Sequence, residues 1–265
     1  MNDKPQTWHY GLVARHWAEH NTGGPEIAYF QKLVEHYGQP ALDAGCGTGR
    51  LLIPFLWAGL DVDGCDVSPD MLSWCQRNAE RQGLKPRLYQ QALHELELPR
   101  SYQTIVVCGA LGIGVSRQQD FLALQRFHKL IQPGGVLLLD HHLPYGDERE
   151  WRLWRKEARK QLPEPWPDTL GRQPPEDGSE YQLYGRVFAF DPLEQRLTRQ
   201  MRTLLWRDGQ VVAEEEYLLY ENLYFYHELR QMLEQAGFEI EAVRGEYGDS
   251  EAAADDEIVV FIARK

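Results

Sequence analysis

Short apolar segments alternate with amphipathic segments through the first half of the chain. Predicted strands occupy residues 41–43, 60–66, 86–91, 103–108 and 136–140, and the fifth is apolar enough to be buried on both faces. Segments with helical periodicity lie between most of them and are bounded by Ser, Pro or Gly, at residues 50–58, 68–83 and 118–131. This alternation predicts a parallel sheet with helices on both faces.

The pattern changes after the fifth strand. Residues 144–180 are rich in proline, with a short helical stretch near 147–161. Three further strands follow, with a hairpin signal at Asp208-Gly209, over residues 181–190, 196–206 and 211–220. A helix at 224–236 and strands at 238–244 and 257–263 then resume the first pattern. We predict an α/β fold with a doubly wound, mostly parallel seven-stranded sheet and an inserted antiparallel β meander.

The order of elements divides the chain into three parts. Residues 1–39 form an N-terminal segment with predicted helices at 11–20 and 25–37. Residues 40–143 and 223–265 form the core, and residues 144–222 form an inserted cover. The 265 residues therefore make one domain with an elaborate cover rather than two separate domains.

Charge and cysteine content narrow the class of protein. The chain has 28 Lys and Arg against 40 Asp and Glu, a net charge of −12, which disfavours binding to nucleic acid or to an anionic membrane. Its four cysteines show no C-x-x-C spacing and are expected to be buried reduced thiols, with no metal site. No signal peptide or membrane-spanning run is recognisable, so we expect a cytoplasmic protein, either a monomer or a homodimer.

The most specific motif is the run Asp43-Ala44-Gly45-Cys46-Gly47-Thr48-Gly49-Arg50, directly after the first strand. Its glycine amides and the following helix N-terminus favour a carboxylate or phosphate, while Asp43 can accept from an ammonium group. Asp66, which ends the second strand, is placed to bind ribose hydroxyls. Ribose together with an amino acid describes S-adenosylmethionine. The alternative, a dinucleotide site, requires G-x-G-x-x-G, whereas here one residue separates each pair of glycines.

Four blocks of sequence resemble the class I S-adenosylmethionine-dependent methyltransferases, which have a Rossmann-like fold. They are ALDAGCGTGR, GCDVSPDML, PGGVLLL and LEQAGF, in this order, and the resemblance covers about 40–143 and 223–265. It implies S-adenosylmethionine as cofactor, S-adenosylhomocysteine as product, and a methyl acceptor bound under the inserted cover.

The resemblance also implies a set of cofactor-binding residues. Asp43, Gly45, Cys46, Gly47 and Gly49 would surround the methionine part, Asp66 would bind the ribose, and Val67, Met71, Gln91 and Ala92 would contact the adenine. Gln91 departs from the acid that is common at its position. Cys108, Gly109 and Ala110 would lie beside the sulfonium. Tyr10 would reach the methionine part from the N-terminal segment and Arg15 its carboxylate; the alternative is a packing helix with Arg15 in solvent.

The acceptor side is less well marked. His141 and His142 follow the fifth strand and are candidates for a general base or for orienting an amine, although histidines at a strand end also serve in packing. Six tryptophans outside the core are candidates for an aromatic acceptor pocket or for packing of the insertion: Trp8, Trp17, Trp151, Trp154, Trp166 and Trp206. Tyr247 is expected near the same rim.

The sequence therefore predicts a methyltransferase that acts on a small-molecule acceptor by in-line displacement at the sulfonium methyl. Two alternatives remain open at this point. One is a protein methyltransferase, and the other is a protein that binds S-adenosylmethionine without catalysis.

Overall fold

A computed structural model of the chain describes residues 9–167 and 178–265. Its strands are β1 (Ala41–Ala44), β2 (Val62–Asp66), β3 (Arg87–Gln90), β4 (Tyr102–Val107), β5 (Ile131–His142), β6 (Glu180–Asp191), β7 (Arg196–Arg207), β8 (Gln210–Asn222), β9 (Glu239–Gly245) and β10 (Ile258–Arg264). Its helices are α1 (Gly11–His20), α2 (Pro25–Tyr37), α3 (Leu52–Trp57), α4 (Pro69–Glu80), α5 (Arg117–Leu130), α6 (Glu148–Trp151), α7 (Lys156–Arg159) and α8 (Tyr226–Gln235).

The seven-stranded sheet has the order β3-β2-β1-β4-β5-β10-β9. The pairs formed among β1 to β5 are all parallel, and β10 runs antiparallel to both of its neighbours. The strand order reverses beside β1, so the loops after β1 and β4 leave the same sheet edge on either side of a crevice. The prediction of a mostly parallel seven-stranded sheet is confirmed.

Apolar side chains cover both faces of this sheet. Phe30 and Phe55 belong to the cluster on one face, and Phe127 and Phe261 to the cluster on the other, all fully buried. Strands that are buried on both sides read as continuous apolar runs, which explains why they were recognisable in the sequence.

Local capping signals fix the helices beside the site. The Ser68 hydroxyl accepts from the backbone N–H of Met71, and Pro69 opens α4. Ser116 and Gln119 form a capping box at the start of α5. These interactions satisfy N–H groups that a helix leaves unpaired in its first turn.

The predicted meander is a separate three-stranded antiparallel sheet in the order β6-β7-β8. It is confirmed. A third apolar cluster joins the meander to the segment that precedes it; its buried members are Leu153, Val187, Phe190, Leu197 and Leu223.

Two details differ from the sequence prediction. β5 begins at Ile131 rather than at residue 136, because Ile131 pairs with Tyr102 before the register shifts across Pro133 and the two glycines that follow. The helical stretch near 147–161 is broken into α6, a 3₁₀ turn and α7. Arg159 donates to the carbonyl groups of Leu153 and Trp154, which ends the turn there.

The division of the chain into an N-terminal segment, a core and an inserted cover stays a prediction. Within the described residues, no helix is long and apolar enough to cross a membrane.

Candidate active site

A cavity of about 390 Å³ opens at the carboxyl ends of β1, β2 and β4. Ligands of open α/β sheets bind at such a crevice, and the volume lies within the usual range for small-ligand pockets. Many predicted cofactor-binding residues line it: Gly45, Gly47, Asp66, Val67, Met71, Ala92, Gly109 and Ala110.

The glycine turn after β1 forms one wall of this cavity. Gly45 has φ +84°, and a Cβ there would lie 2.5 Å from the Cβ of Ala110. Gly47 has φ +52°, but a Cβ at this position would meet no atom within 4 Å. Gly45 is therefore required by close packing, whereas Gly47 leaves space on the cavity side for a ligand.

Asp66 lies at the end of β2 and is 8% exposed. One carboxylate oxygen accepts from the N–H of Gly47 at 2.9 Å, and the other accepts from the N–H of Ser68 at 2.8 Å. Burial raises the pKa of this carboxyl, and the two N–H groups partly offset the rise. Asp66 thus fixes the glycine turn and still borders the cavity, as a ribose-binding acid would.

Asp43 is the third of the four residues of β1 and is 3% exposed. It is not among the residues that line the cavity, and its Oδ2 has no hydrogen-bond partner among the described residues. Burial, reinforced by the nearby Asp66 charge, raises its pKa to about 7. A buried carboxylate oxygen without a partner is costly. An ammonium group of a ligand would remove that cost, so the residues present fit the amino-acid part of S-adenosylmethionine.

Three of the four residues predicted to contact the adenine border the cavity. Val67, Met71 and Ala92 line the cavity, but the amide of Gln91 is turned to the backbone of Glu97, from whose N–H it accepts at 2.8 Å. Cys46 and Gly49 lie behind the turn: a Cβ on Gly49 would lie 2.8 Å from the sulfur of Cys75.

Sequence reasoning missed several residues that line the same cavity. His9, Leu93, His94 and Gln119 are the clearest examples. His9 is partly buried, and removal of its imidazole from solvent lowers its pKa to about 4, so the imidazole is neutral near pH 7. Leu93 and His94 belong to a 3₁₀ turn with no strong sequence signal.

Tyr10 and Arg15 are not among the residues that line this cavity. Tyr10 is buried at the start of α1. Arg15 pairs with Glu19 at 2.9 Å, and its guanidinium lies 5.3 Å from the ring centroid of Tyr181 in the meander. Carboxylates of α4 and β8 hold the beginning of α1: the N–H of Gly11 donates to Asp70, and that of Leu12 to Glu215.

Residues 109–115, which we call the partition loop, separate this cavity from a second one of about 630 Å³. Gly109 and Ile113 border both cavities. Just before the loop, the Cys108 thiol donates to Asp140 at 3.0 Å. The hydroxyl of Tyr247 donates to the same carboxylate of Asp140 at 2.7 Å.

The second cavity lies between the ends of the core strands and the meander. Its lining includes nine charged residues: Asp140, Asp147, Arg149, Glu150, Glu164, Arg186, Arg199, Glu221 and Glu257. Arg199 is paired with Glu150 and with Glu221. Sequence reasoning missed this set, because the residues come from distant segments and form no motif.

The two candidate histidines differ in environment. His141 is buried, with Nε2 2.8 Å from the carbonyl oxygen of Tyr224, to which it can donate, and burial lowers its pKa. His142 is exposed at the edge of the second cavity. A general-base role for either stays a prediction, and only His142 is exposed to solvent.

The tryptophans do not form the lining of the second cavity. Trp151 and Trp154 pack with Phe190 and Phe225, and Trp166 packs with Tyr184. Trp206 donates to Gln182. This favours the packing alternative for these residues. Trp17 lies in α1, and Trp8 falls outside the described residues.

The four cysteines are free. Among residues 9–167 and 178–265, no group of three or more His, Cys, Asp or Glu side chains is arranged to hold a metal ion.

Comparison with known proteins bears on this site. Residues 41–135 match a family model described as a methyltransferase domain. A protein of Geobacillus sp. (strain WCH70), named "Putative methyltransferase", is 26% identical over 243 residues, which cover 90% of this chain and 91% of that protein.

Solved structures share the fold. An S-adenosylmethionine-dependent methyltransferase from Clostridium acetobutylicum has a TM-score of 0.69 at 18% identity, over 91% of this chain and 90% of its own. The CcbJ methyltransferase from Streptomyces caelestis has a TM-score of 0.67 at 19% identity, over 91% and 96%. The matched domain contains the glycine turn, Asp43, Asp66 and the partition loop. The chain therefore contains a methyltransferase domain over residues 41–135 and has the fold of S-adenosylmethionine-dependent methyltransferases.

Proposed function

We propose that this protein methylates a small polar molecule held in the second cavity. The observation that carries the proposal is the shared border of the two cavities: Gly109 and Ile113 belong to both linings. A methyl donor in the first cavity and an acceptor in the second would meet at this border. The second cavity, at about 630 Å³, suits a small molecule.

The chemistry of the lining supports a polar acceptor. The Glu150–Arg199–Glu221 group spans α6, β7 and β8, and Arg186 donates to Gln200 and to the carbonyl of Glu164. Oriented charges of both signs can fix a molecule that carries several hydroxyl or amine groups. An apolar acceptor would displace water from these charged groups without replacing the hydrogen bonds that water makes to them.

Known proteins of the same fold agree with a small acceptor. One structural neighbour is described as an amino pentose methyltransferase, with a TM-score of 0.64, and another as a sugar N-methyltransferase, with a TM-score of 0.65. Relatives named ribosomal protein L11 methyltransferase match only 38% of this chain, so they offer little support for a protein acceptor.

S-Adenosylmethionine supplies a methyl group that the sulfonium charge has already activated. Asp43 would receive its ammonium group and Asp66 its ribose, while Val67 and Met71 pack against the base. The partition loop would hold the reacting atoms in line, and the meander would exclude water. Positioning and desolvation then account for most of the rate acceleration. For an amine or hydroxyl acceptor, we propose that His142, which is exposed and lines the second cavity, receives the displaced proton.

The experiment is a product assay that detects S-adenosylhomocysteine, with panels of amino sugars, small amines and polyhydroxy compounds on one side and cell proteins on the other. We expect turnover with a compound from the small-molecule panels. Loss of that turnover in Glu221→Gln, with S-adenosylhomocysteine binding retained, would assign the second cavity to the acceptor. Methylation of protein alone would contradict the proposal.

A further inference from the structure

The partition loop has little conformational preference of its own. Three of its seven residues are glycines in the left-handed region, Gly109 at φ +60°, Gly112 at φ +90° and Gly114 at φ +71°. Glycine has more accessible backbone conformations than any other residue, so a glycine-rich loop does not adopt a single conformation by itself. The position of the loop must therefore be set by the groups that bind its backbone.

Two buried carboxylates of the core bind the loop from one side. Asp140 accepts from the N–H of Gly109 at 2.6 Å, and Asp120 accepts from the N–H of Gly112 at 2.9 Å. The two carboxylates are 4% and 2% exposed. Such charge-assisted bonds are among the stronger ones in proteins.

The end of β8 binds the same loop from the other side. Ile113 forms an antiparallel bridge with Glu221, and the N–H of Gly114 donates to the carbonyl of Tyr220 at 2.7 Å. The N–H of Asn222 donates to the carbonyl of Gly112 at 2.8 Å. The contact is close, because a Cβ on Gly112 would lie 2.8 Å from the carbonyl oxygen of Asn222.

The Asn222 side chain joins the two sets of contacts. Its amide nitrogen donates to the carbonyl of Val115 at 2.9 Å and to Asp120 at 2.8 Å. Tyr224 donates to the same Asp120 oxygen at 2.6 Å. Asn222 is 2% exposed and borders the second cavity, but it is not among the residues that line the cofactor cavity.

We infer that Asn222 is a positioning residue for S-adenosylmethionine, acting through the partition loop. The last residue of the inserted meander thereby sets one wall of a cofactor site that the core was expected to build alone. Four loop residues line the cofactor cavity besides Gly109: Ala110, Ile113, Gly114 and Val115. A shift of the loop would change their contacts with a ligand that Asn222 never touches.

The test is calorimetric titration of S-adenosylhomocysteine into the whole protein. Asn222→Ala removes both side-chain donors, and we expect the affinity to fall about tenfold, as expected for the loss of about one strong positioning interaction. Leu204→Ala is the matched control, because Leu204 is buried in β7 at the far end of the meander. It should lower the melting temperature and leave the affinity within twofold of wild type.

Tyr224→Phe separates positioning from a general loss of stability. It deletes only the hydroxyl that donates to Asp120, keeps the ring, and should lower the affinity about threefold. Wild-type affinity in both Asn222→Ala and Tyr224→Phe would overturn the inference. An equal fall in affinity in Leu204→Ala would do the same. Should Asn222→Ala not fold, wild-type affinity in Tyr224→Phe is sufficient to overturn it. The test needs no acceptor, so its outcome is independent of the proposed function.

Discussion

The two cavities on either side of the partition loop are built from different kinds of residues. The cofactor cavity is formed by strand ends, a glycine turn and backbone N–H groups that Asp66 holds in place. The second cavity, where we propose that the acceptor binds, is lined in part by charged side chains of the core edge and the meander. The first offers one shape to one ligand, whereas the second can change its specificity by changes of side chain on an unchanged backbone.

Of all the substitutions, loss of Asp66 at the end of β2 should lower the affinity for the cofactor most strongly. We expect Asp66→Ala to lower the affinity for S-adenosylhomocysteine about 100-fold, because it removes charge-assisted bonds of about 1.5–3 kcal/mol and releases the N–H of Gly47. Calorimetry measures the effect. Asp61→Ala, which changes the acid directly before β2, is the control. An equal loss in that variant, or no loss in Asp66→Ala, would contradict the ribose role.

Asp43→Asn should have opposite effects on binding and on stability. It removes a carboxylate that would receive the cofactor ammonium, so we expect the affinity to fall about tenfold. It also removes a buried charge whose Oδ2 has no partner in the described structure, so the melting temperature without ligand should rise at pH 8. A lower melting temperature, or unchanged affinity, would contradict this account of Asp43.

The pH dependence of the same pair follows from the raised pKa. Because the folded-state pKa is about 7 and the unfolded value lies near 4, ionisation of Asp43 opposes folding as the pH rises between these values. The stability advantage of Asp43→Asn should therefore be absent near pH 4 and complete above pH 7. In the wild type, affinity for S-adenosylhomocysteine should rise with pH towards 7, and this rise should be absent in Asp43→Asn. Thermal melts and titrations across that range provide the check.

Alanine substitutions at two glycines can distinguish the loss of ligand contact from the effect of backbone strain. Gly47 (φ +52°) and Gly59 (φ +79°) are both left-handed, and a Cβ on either would meet no atom within 4 Å, but only Gly47 lines the cofactor cavity. Alanine at either position should cost about 1 kcal/mol of stability. We expect only Gly47→Ala to weaken binding of S-adenosylhomocysteine, about fivefold by calorimetry. Equal effects of the two substitutions on binding would show that the space beside Gly47 is not used.

The smallest effect on cofactor binding is expected on the acceptor side. Arg199→Met leaves Glu150 and Glu221 without this partner, so it should destabilise the fold by about 1–2 kcal/mol and abolish methyl transfer, with cofactor affinity within twofold of wild type. Arg202→Met on the same strand removes a more exposed pair with Glu214 and should change stability by less than about 1 kcal/mol. Denaturant melts measure the stabilities. A large loss of cofactor affinity in Arg199→Met would remove the distinction between the two cavities.

The sequence predicted the parts of the molecule whose causes are local. The central strands β1, β2 and β4 are buried on both faces, and the glycine turn and Ser68-Pro69 are short-range signals, so these parts were recognisable in the sequence. Two features of the cofactor cavity were not predictable: His9 lines it, and the side-chain amide of Gln91 bonds the backbone of Glu97. Both depend on the position of backbone that belongs to another segment of the chain. The acceptor cavity depends on six or more segments at once, so neither its charge pairs nor the bond between Asn222 and the partition loop leaves a pattern along the chain.

A crystal structure with bound S-adenosylhomocysteine tests the central claim most directly. The account predicts the thioether sulfur beside Gly109, at the border of the two cavities, with the ligand ammonium within hydrogen-bond distance of Asp43 Oδ2 and the ribose hydroxyls on Asp66. A ligand whose sulfur faces away from the second cavity would contradict it, because no acceptor held between the core and the meander could then reach the methyl group.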